Sequence, residues 1–392
     1  MVSLLFLGQL TIQANALLPY LSRHGYQVTA INTSKWASPE KIADSNISVF
    51  NLYSNSIGKI LLGKPESYRK IAFYKFVKNL NLKNDLSGSF VNAAKADLVY
   101  ASWGSLSLPE VGLLQRYQTP IVYEFLTYPT VRTGWAEKTE NFFSRHIINS
   151  LDGRIFSTKR MAAYFSNKFG LNNGKNLVFM ECYPKKYYYQ KRLPLLSEID
   201  GQPHIVFIGM DVDDILPEIE RVSKNKIHVH FCDLKQAGWP QGKSERAYNS
   251  SLYVNGSLNK NYVHTFNRFS NDEISDGTFA TFLTQFDACL VTYDFWRGSS
   301  LNRFSNSIPS RFSIALLAGI PIIIPGGYLK GCEDIIKEHR IGFTYRNYSD
   351  LKNKLFNRNL LSEYQINAIN NRSVFSLENN FSQLDNFLKN LI

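Results

Sequence analysis

Residues 2–8 (VSLLFLG) are a nearly unbroken apolar run that stops at a Gly8-Gln9 turn. A helical spacing of apolar positions then reaches His24, and YQVTAIN (26–32) is a second apolar run. Strand, turn, helix and strand within about thirty residues is the length of one βαβ unit. DLVYAS (97–102), PIVYEF (120–125), GRIFST (153–158) and NLVFM (176–180) continue the series, with helix-compatible sequence such as 109–117 and 137–150 between them. Continuous apolar strands alternating with helices predict a parallel sheet covered on both faces.

Residues 181–202 carry prolines and charges without periodicity, and they read as an interdomain linker. A second alternation follows, with strands at 204–209 (HIVFIG), 227–232 (IHVHFC), 262–266 (YVHTF), 288–293 (ACLVTY) and 321–325 (PIIIP). Helices are expected near 214–222, 278–285, 309–318 and 333–339, while the polar stretch 236–260 reads as an excursion. The tail, 362–392, predicts one or two helices with Phe381, Leu384, Phe387, Leu388 and Leu391 on an apolar face. The expectation is α/β throughout, as two doubly wound domains: 1–180, then 203–361, with the C-terminal helix returning to the first.

Composition narrows the class of partner. At 392 residues with 44% hydrophobic content the chain can bury two cores, and its net charge of +12 points to an acidic partner. Nucleic acid ranks last among such partners, because no helix-turn-helix, finger or RNA-binding pattern is present. The four cysteines, Cys182, Cys232, Cys289 and Cys332, form no CxxC pair and read as reduced core residues of a cytosolic protein. The start MVSLLFLG lacks a basic leader and reads as a strand, and no apolar run approaches the ~18 to 20 residues of a membrane span.

Between 57 and 83 the alternation breaks. Lys59, Lys64, Arg69, Lys70, Lys75, Lys78 and Lys83 are opposed locally only by Glu66, and Phe73, Phe76, Val77 and Leu80 recur at helical spacing. This basic amphipathic segment is either a surface helix of its own domain or a dock for an anionic membrane, with Lys70, Lys75 and Lys78 at headgroups and Phe73 and Phe76 at the acyl boundary.

The richest stretch is 286–341. A helix opening at Pro309, with Ser307 and Ser310 at its end and Arg311 beside it, presents unpaired N–H groups and a donor fork, which together attract phosphate. His228 and His230 share one strand face, but no third ligand is apparent in the sequence, and two buried, satisfied imidazoles are preferred to a metal. Asp211, Asp213 and Asp214 suit a helix start better than a metal motif.

The order of these pieces resembles the two-Rossmann-domain (GT-B) glycosyltransferases, specifically the large family 4 group. The opening FLGQLTIQANALLPYLSRHGYQVTAI is similar to that family's first strand, glycine turn and His-Gly entry. PIVYEFLTYP with LDGRIFSTKRMAAYF resembles the strands that end its first domain. FDACLVTYDF with IPSRFSIALLAGIPIII resembles its Pro-x-Lys-x-x-Glu and Ala-Gly-x-Pro pattern, and GGYLKGCEDIIKEHRIGFTY its closing segment. The resemblance implies a metal-independent, retaining hexosyltransferase without a cofactor. Its co-substrate would be a UDP- or GDP-linked sugar, and its acceptor a lipid-linked or glycan precursor of a cell-surface polysaccharide. Together with the basic segment 57–83, the expectation is a cytoplasmic enzyme peripherally associated with the inner face of the cell membrane.

Under the same resemblance the donor would meet Gly209, Tyr293, Ser307, Pro309, Ser310, Arg311, Gly326, Gly327 and Glu333, with Arg311 carrying charge stabilisation at the family's lysine position. The acceptor would meet Gly8, Gln9, Ser102 and Trp103. Glu124, at a strand's carboxyl end, would face the interdomain cleft as a base or as an orienting group. Two departures stand out: Ile314 occupies the place of the ribose-holding glutamate, and MDVDDI (210–215) that of a phosphate-binding cation. They motivate the alternative of a noncatalytic, transferase-like scaffold at the membrane.

Overall fold

Two parallel sheets carry the chain in the computed structural model, which describes residues 1–8, 10–32, 46–51, 96–102, 119–128, 144–145, 148–171, 175–209, 215–232, 261–265, 269–293 and 304–392. Strand β1 (Val2–Gly8) leads through helix α1 (Ile12–Arg23) to β2 (Tyr26–Asn32), β3 (Ser48–Asn51), β4 (Leu98–Ser102), β5 (Ile121–Phe125) and β6 (Gly153–Phe156). Helix α2 (Lys159–Phe169) and β7 (Asn176–Val178) complete the first set. The seven strands lie in the order β3-β2-β1-β4-β5-β6-β7, so the winding reverses between β1 and β4. Helix α1 starts where Thr11 accepts from the Ala14 N–H, and α2 where Thr158 accepts from Met161, two N-caps that satisfy donors the helices cannot.

The second set begins with helix α3 (Ser197–Asp200) and continues through β8 (His204–Ile208), α4 (Leu216–Ser223), β9 (His228–Cys232) and β10 (Val263–Thr265). Next come α5 (Asn271–Ser275), α6 (Thr278–Leu283), β11 (Ala288–Leu290), α7 (Ser310–Leu317), β12 (Ile322–Pro325), α8 (Lys330–His339) and β13 (Gly342–Tyr345). Three C-terminal helices follow: α9 (Tyr348–Phe356), α10 (Arg358–Asn371) and α11 (Leu377–Lys389). The six strands are ordered β10-β9-β8-β11-β12-β13, with the reversal between β8 and β11. Both sheets are parallel throughout. Strands β4, β5, β6 and β8 are buried on both faces, as their continuous apolar runs require.

Contacts divide the chain into one unit of Met1–Met180 with Phe381–Ile392, and another of Glu181–Asn380. The end of α11 therefore belongs to the first unit. There the Phe381 ring lies 4.9 Å from that of Tyr20 and 4.5 Å from that of His24, and the Tyr26 hydroxyl donates to Asp385 at 2.7 Å.

Residues 181–202, expected as a linker, instead pack within the second unit: Tyr189 N–H donates to the Leu317 carbonyl at 3.3 Å and Leu196 N–H to that of Gln285 at 3.0 Å. Pro309 does not open α7 as its first helical residue. With ψ 143 it is the extended residue just before the helix. Strands β3 and β13 and helix α9 lie outside the expected elements, while α10 and α11 are the two helices expected of the tail, α10 starting earlier, at Arg358. Each of the two strands has only four residues, too few for an alternation to stand out.

Buried Asp287 ties the second unit together. Its carboxylate accepts from Ser197 Oγ, His204 N–H and Arg358 Nη1, each at 2.7 Å. A carboxylate removed from water is tolerable when its oxygens are saturated with donors in this way.

Candidate active site

In open parallel sheets, ligands collect outside the carboxyl ends of strands at the point where winding reverses. In the second unit, Gly209 follows β8 and Thr292 and Tyr293 follow β11, on either side of that point. Arg311, from the first turn of α7, lies with them. Its guanidinium carbon is 4.5 Å from the Phe207 ring centre and 4.5 Å from that of Tyr293, and Nη1 donates to the Thr292 carbonyl at 3.2 Å. Two aromatic faces and one carbonyl fix the plane of the fork, and only one of its five donors is engaged by a described residue. Tyr293 in turn stacks on Phe304, with ring centres 3.9 Å apart and planes 8° from parallel.

Gly209 is what lets the arginine come this close. At φ 149 its backbone suits glycine, and a Cβ there would lie 3.1 Å from Arg311 Nη2.

The remaining residues expected at the donor site differ in their bonding. Pro309 caps α7 without any side-chain hydrogen bond, so the helix end offers backbone donors beside Arg311. The hydroxyl of Ser310 is already committed: it donates to Glu181 Oε2 at 3.0 Å, and Tyr183 donates to the other oxygen of that buried carboxylate. Ser307 is buried, its carbonyl accepting from Cys332 Sγ at 3.6 Å. Gly326 donates to the Tyr345 carbonyl at 2.9 Å, and Glu333 takes the Gly327 N–H, so this turn and the start of α8 are one hydrogen-bonded corner. Ile314 is 1% exposed, a core residue with no polar atom to offer a ribose.

The first unit presents a polar cluster at its own reversal point. Glu124 on β5 is 2% exposed and accepts from Gln13 Nε2 at 2.8 Å through one oxygen and from Ser102 Oγ at 2.8 Å through the other. Tyr100 lies close enough to influence the carboxylate, although its hydroxyl makes no hydrogen bond of normal geometry. Burial raises the Glu124 pKa, opposed by the donors Ser102, Gln13 and Tyr100. No described Lys or Arg pairs with it. Through these bonds Glu124 holds Ser102 and Gln13 in place. Gly8 closes this corner, since a Cβ on it would lie 3.0 Å from the Ser102 carbonyl oxygen.

Sequence reasoning passed over Gln13, Phe207, Thr292 and Glu181. Gln13 alone left a trace, as a polar residue among the apolar positions opening α1. The histidine reading also changes. His204 and His264 join His228 and His230 in one stack across β8, β9 and β10, with Asp200 at its rim, so further ligand-type groups do lie nearby. Burial, seconded by the neighbouring imidazoles, lowers the pKa of His230 to about 2 and, chiefly with His204, that of His228 to about 4.

Gln9, Trp103, the acids Asp211, Asp213 and Asp214, and the whole 57–83 segment with Lys70, Phe73, Lys75, Phe76 and Lys78 lie outside the described residues. Among the described residues, no helix is long and apolar enough to cross a membrane.

Two doubly wound parallel sheets in tandem, the last helix ending in the first unit, make this a GT-B fold. The solved structures it resembles bear this out. Sucrose-phosphate synthase from Thermosynechococcus elongatus superposes with a TM-score of 0.68 at 11% identity, over 100% of this chain and 99% of that one. HepE from Anabaena, solved in complex with UDP, gives 0.64 at 13% identity over 99% and 100%. WaaG, a glycosyltransferase involved in lipopolysaccharide biosynthesis, gives 0.60 at 14% identity over 95% of each chain. No family profile matches the sequence. No curated protein matches it either. The resemblance read from the sequence therefore holds at the level of fold.

Proposed function

We propose that this protein is a glycosyltransferase that moves a sugar from a nucleotide diphosphate donor to a lipid-linked or glycan acceptor of a cell-surface polysaccharide. The observation that carries the reading is Arg311, held between Phe207 and Tyr293 at the reversal point of the second sheet, beside the capless end of α7. A fixed cation and a helix N-terminus at one place are what a departing diphosphate requires, and preorganised charge of this kind is usually the largest catalytic term. Gly209, Tyr293 and the Gly326–Gly327 turn line the donor, UDP- or GDP-linked; the structure of HepE with UDP supports a uridine nucleotide. Gly8 and Ser102 are placed for the acceptor by the Glu124 cluster, with Glu124 as a positioning residue, consistent with a retaining reaction that needs no protein base there.

The test is a panel of nucleotide sugars, read for transfer and for slow hydrolysis. Turnover with one donor supports the proposal, and neither binding nor turnover with any of them refutes it.

Ile314 favours a second reading, a transferase-like scaffold that recruits another enzyme, because the core position it fills can offer the nucleotide no carboxylate. Calorimetry with UDP, GDP and CMP separates the two, since a scaffold binds none of them. Either form would work at the inner face of the cell membrane, docked through the basic 57–83 segment. Lys70→Glu, Lys75→Glu and Lys78→Glu together should release the protein from anionic vesicles, and unchanged co-sedimentation removes the docking idea.

A further inference from the structure

At the other end of strand β8 from Arg311, four of the chain's seven histidines gather with one carboxylate. His204 opens β8 and His228 opens β9, and parallel register sets them side by side. Asp200, the last residue of α3, stands four residues before His204, so its carboxylate reaches both imidazoles: Oδ2 is 3.1 Å from His204 Nε2 and 3.2 Å from His228 Nε2. The three ligand atoms all lie within 4.8 Å of one another.

We infer that Asp200, His204 and His228 form a binding site for a divalent first-row metal ion of the zinc class. Bonds of about 2.0–2.2 Å in tetrahedral geometry place ligand atoms about 3.3 Å apart. Both nitrogen-to-oxygen edges are already within about 0.2 Å of that, and the two imidazoles, stacked with planes 7° from parallel, have to tilt toward each other to aim both lone pairs at the ion. Two imidazoles and one carboxylate with an open fourth position suit zinc, with a water completing the set.

The outer contacts have the form that metal-binding histidines use. His204 Nδ1 is 2.8 Å from His230 Nε2, and His228 Nδ1 is 2.8 Å from His264 Nε2. With an ion bound, each Nδ1–H donates outward and leaves the Nε2 lone pair for the metal; such partners fix tautomer and ring orientation. Without an ion the same contacts run in reverse, with Nε2–H groups donating to Asp200, so both nitrogens of His204 and of His228 have partners in either state and the switch is a change of tautomer. Access is adequate: the Asp200 side chain is 37% exposed while the two imidazoles are nearly enclosed. Bound there, the ion would staple the end of α3 to the amino edge of the sheet, about 16 Å along β8 from the proposed nucleotide site, given five residues at about 3.3 Å each.

The experiment uses tag-free, chelator-stripped full-length protein dialysed against Zn2+, with Co2+ as the visible-absorption probe. One equivalent should bind, raise the melting temperature and give the absorption of four-coordinate Co2+. Asp200→Asn should weaken Zn2+ binding more than the 10–100-fold expected when an outer partner is removed by His230→Gln. No stoichiometric Zn2+ binding, or Asp200→Asn affinity within threefold of wild type, overturns the inference. Anomalous scattering from a Zn2+-soaked wild-type crystal decides independently of any variant: a peak between Asp200, His204 and His228 supports the site, and a peak only elsewhere, or none, overturns it.

Discussion

Arg311 is the position at which the proposed chemistry is most exposed to test. Arg311→Ala removes a guanidinium whose orientation is set by Phe207, Tyr293 and the Thr292 carbonyl, so its fork would meet the diphosphate of the proposed donor without prior reorganisation. Hydrogen bonds to charged groups contribute about 1.5–3 kcal/mol, and a fork sharing its load between phosphates should supply about 2–3 kcal/mol in all. The expected loss of nucleoside diphosphate affinity is therefore about 30- to 150-fold. Arg311→Lys keeps the charge but not the planar fork or its stacking, and it should fall between wild type and alanine. Titration calorimetry with UDP and GDP measures both, with the melting temperature as a control for folding. If wild type binds and the alanine variant binds within threefold of it while melting normally, the guanidinium does not hold the diphosphate and the assignment is wrong.

Three further outcomes follow from the same geometry. Gly209→Ala should weaken nucleotide binding about tenfold, or 1.4 kcal/mol, because the added Cβ displaces the guanidinium; unchanged calorimetry would separate the glycine from the site. Asp287→Ala leaves the Ser197 hydroxyl and His204 N–H buried without their acceptor, at about 1–3 kcal/mol each, and a loss near 3 kcal/mol should lower the melting temperature by about 6–12 °C. A shift under 2 °C contradicts the bracing role. Glu124 has a pKa raised above its ordinary 4.5 by burial, so its contribution to stability is fully present below that value and declines as pH rises through the raised value. Glu124→Gln should remove this decline, and parallel melting-temperature profiles for the two proteins from pH 4 upward would count against it.

The sequence by itself determined the larger plan. Apolar runs at 2–8, 26–32, 204–208 and 228–232 can be buried only as central parallel strands, and the punctuation between them fixes where each ends. That was enough to place Gly209 and Tyr293 just beyond strand ends and Arg311 at a helix start, since strand ends and helix starts are local properties. It was not enough to show what those residues touch.

Gln13, Ser102 and Glu124 are far apart along the chain, and only the register of β4 against β5 and the packing of α1 bring them together. Glu181 takes the Ser310 hydroxyl across 129 positions, a contact that leaves no periodic trace. The histidines show the limit most clearly. His228 and His230 are legible as one face of a strand, but the third and fourth imidazoles come from β8 and β10, and Asp200 from a helix inside the supposed linker. Side chains on one strand repeat with period two and can be read in order, whereas the neighbours that decide their chemistry are set by which strand lies alongside, and only the folded sheet decides that.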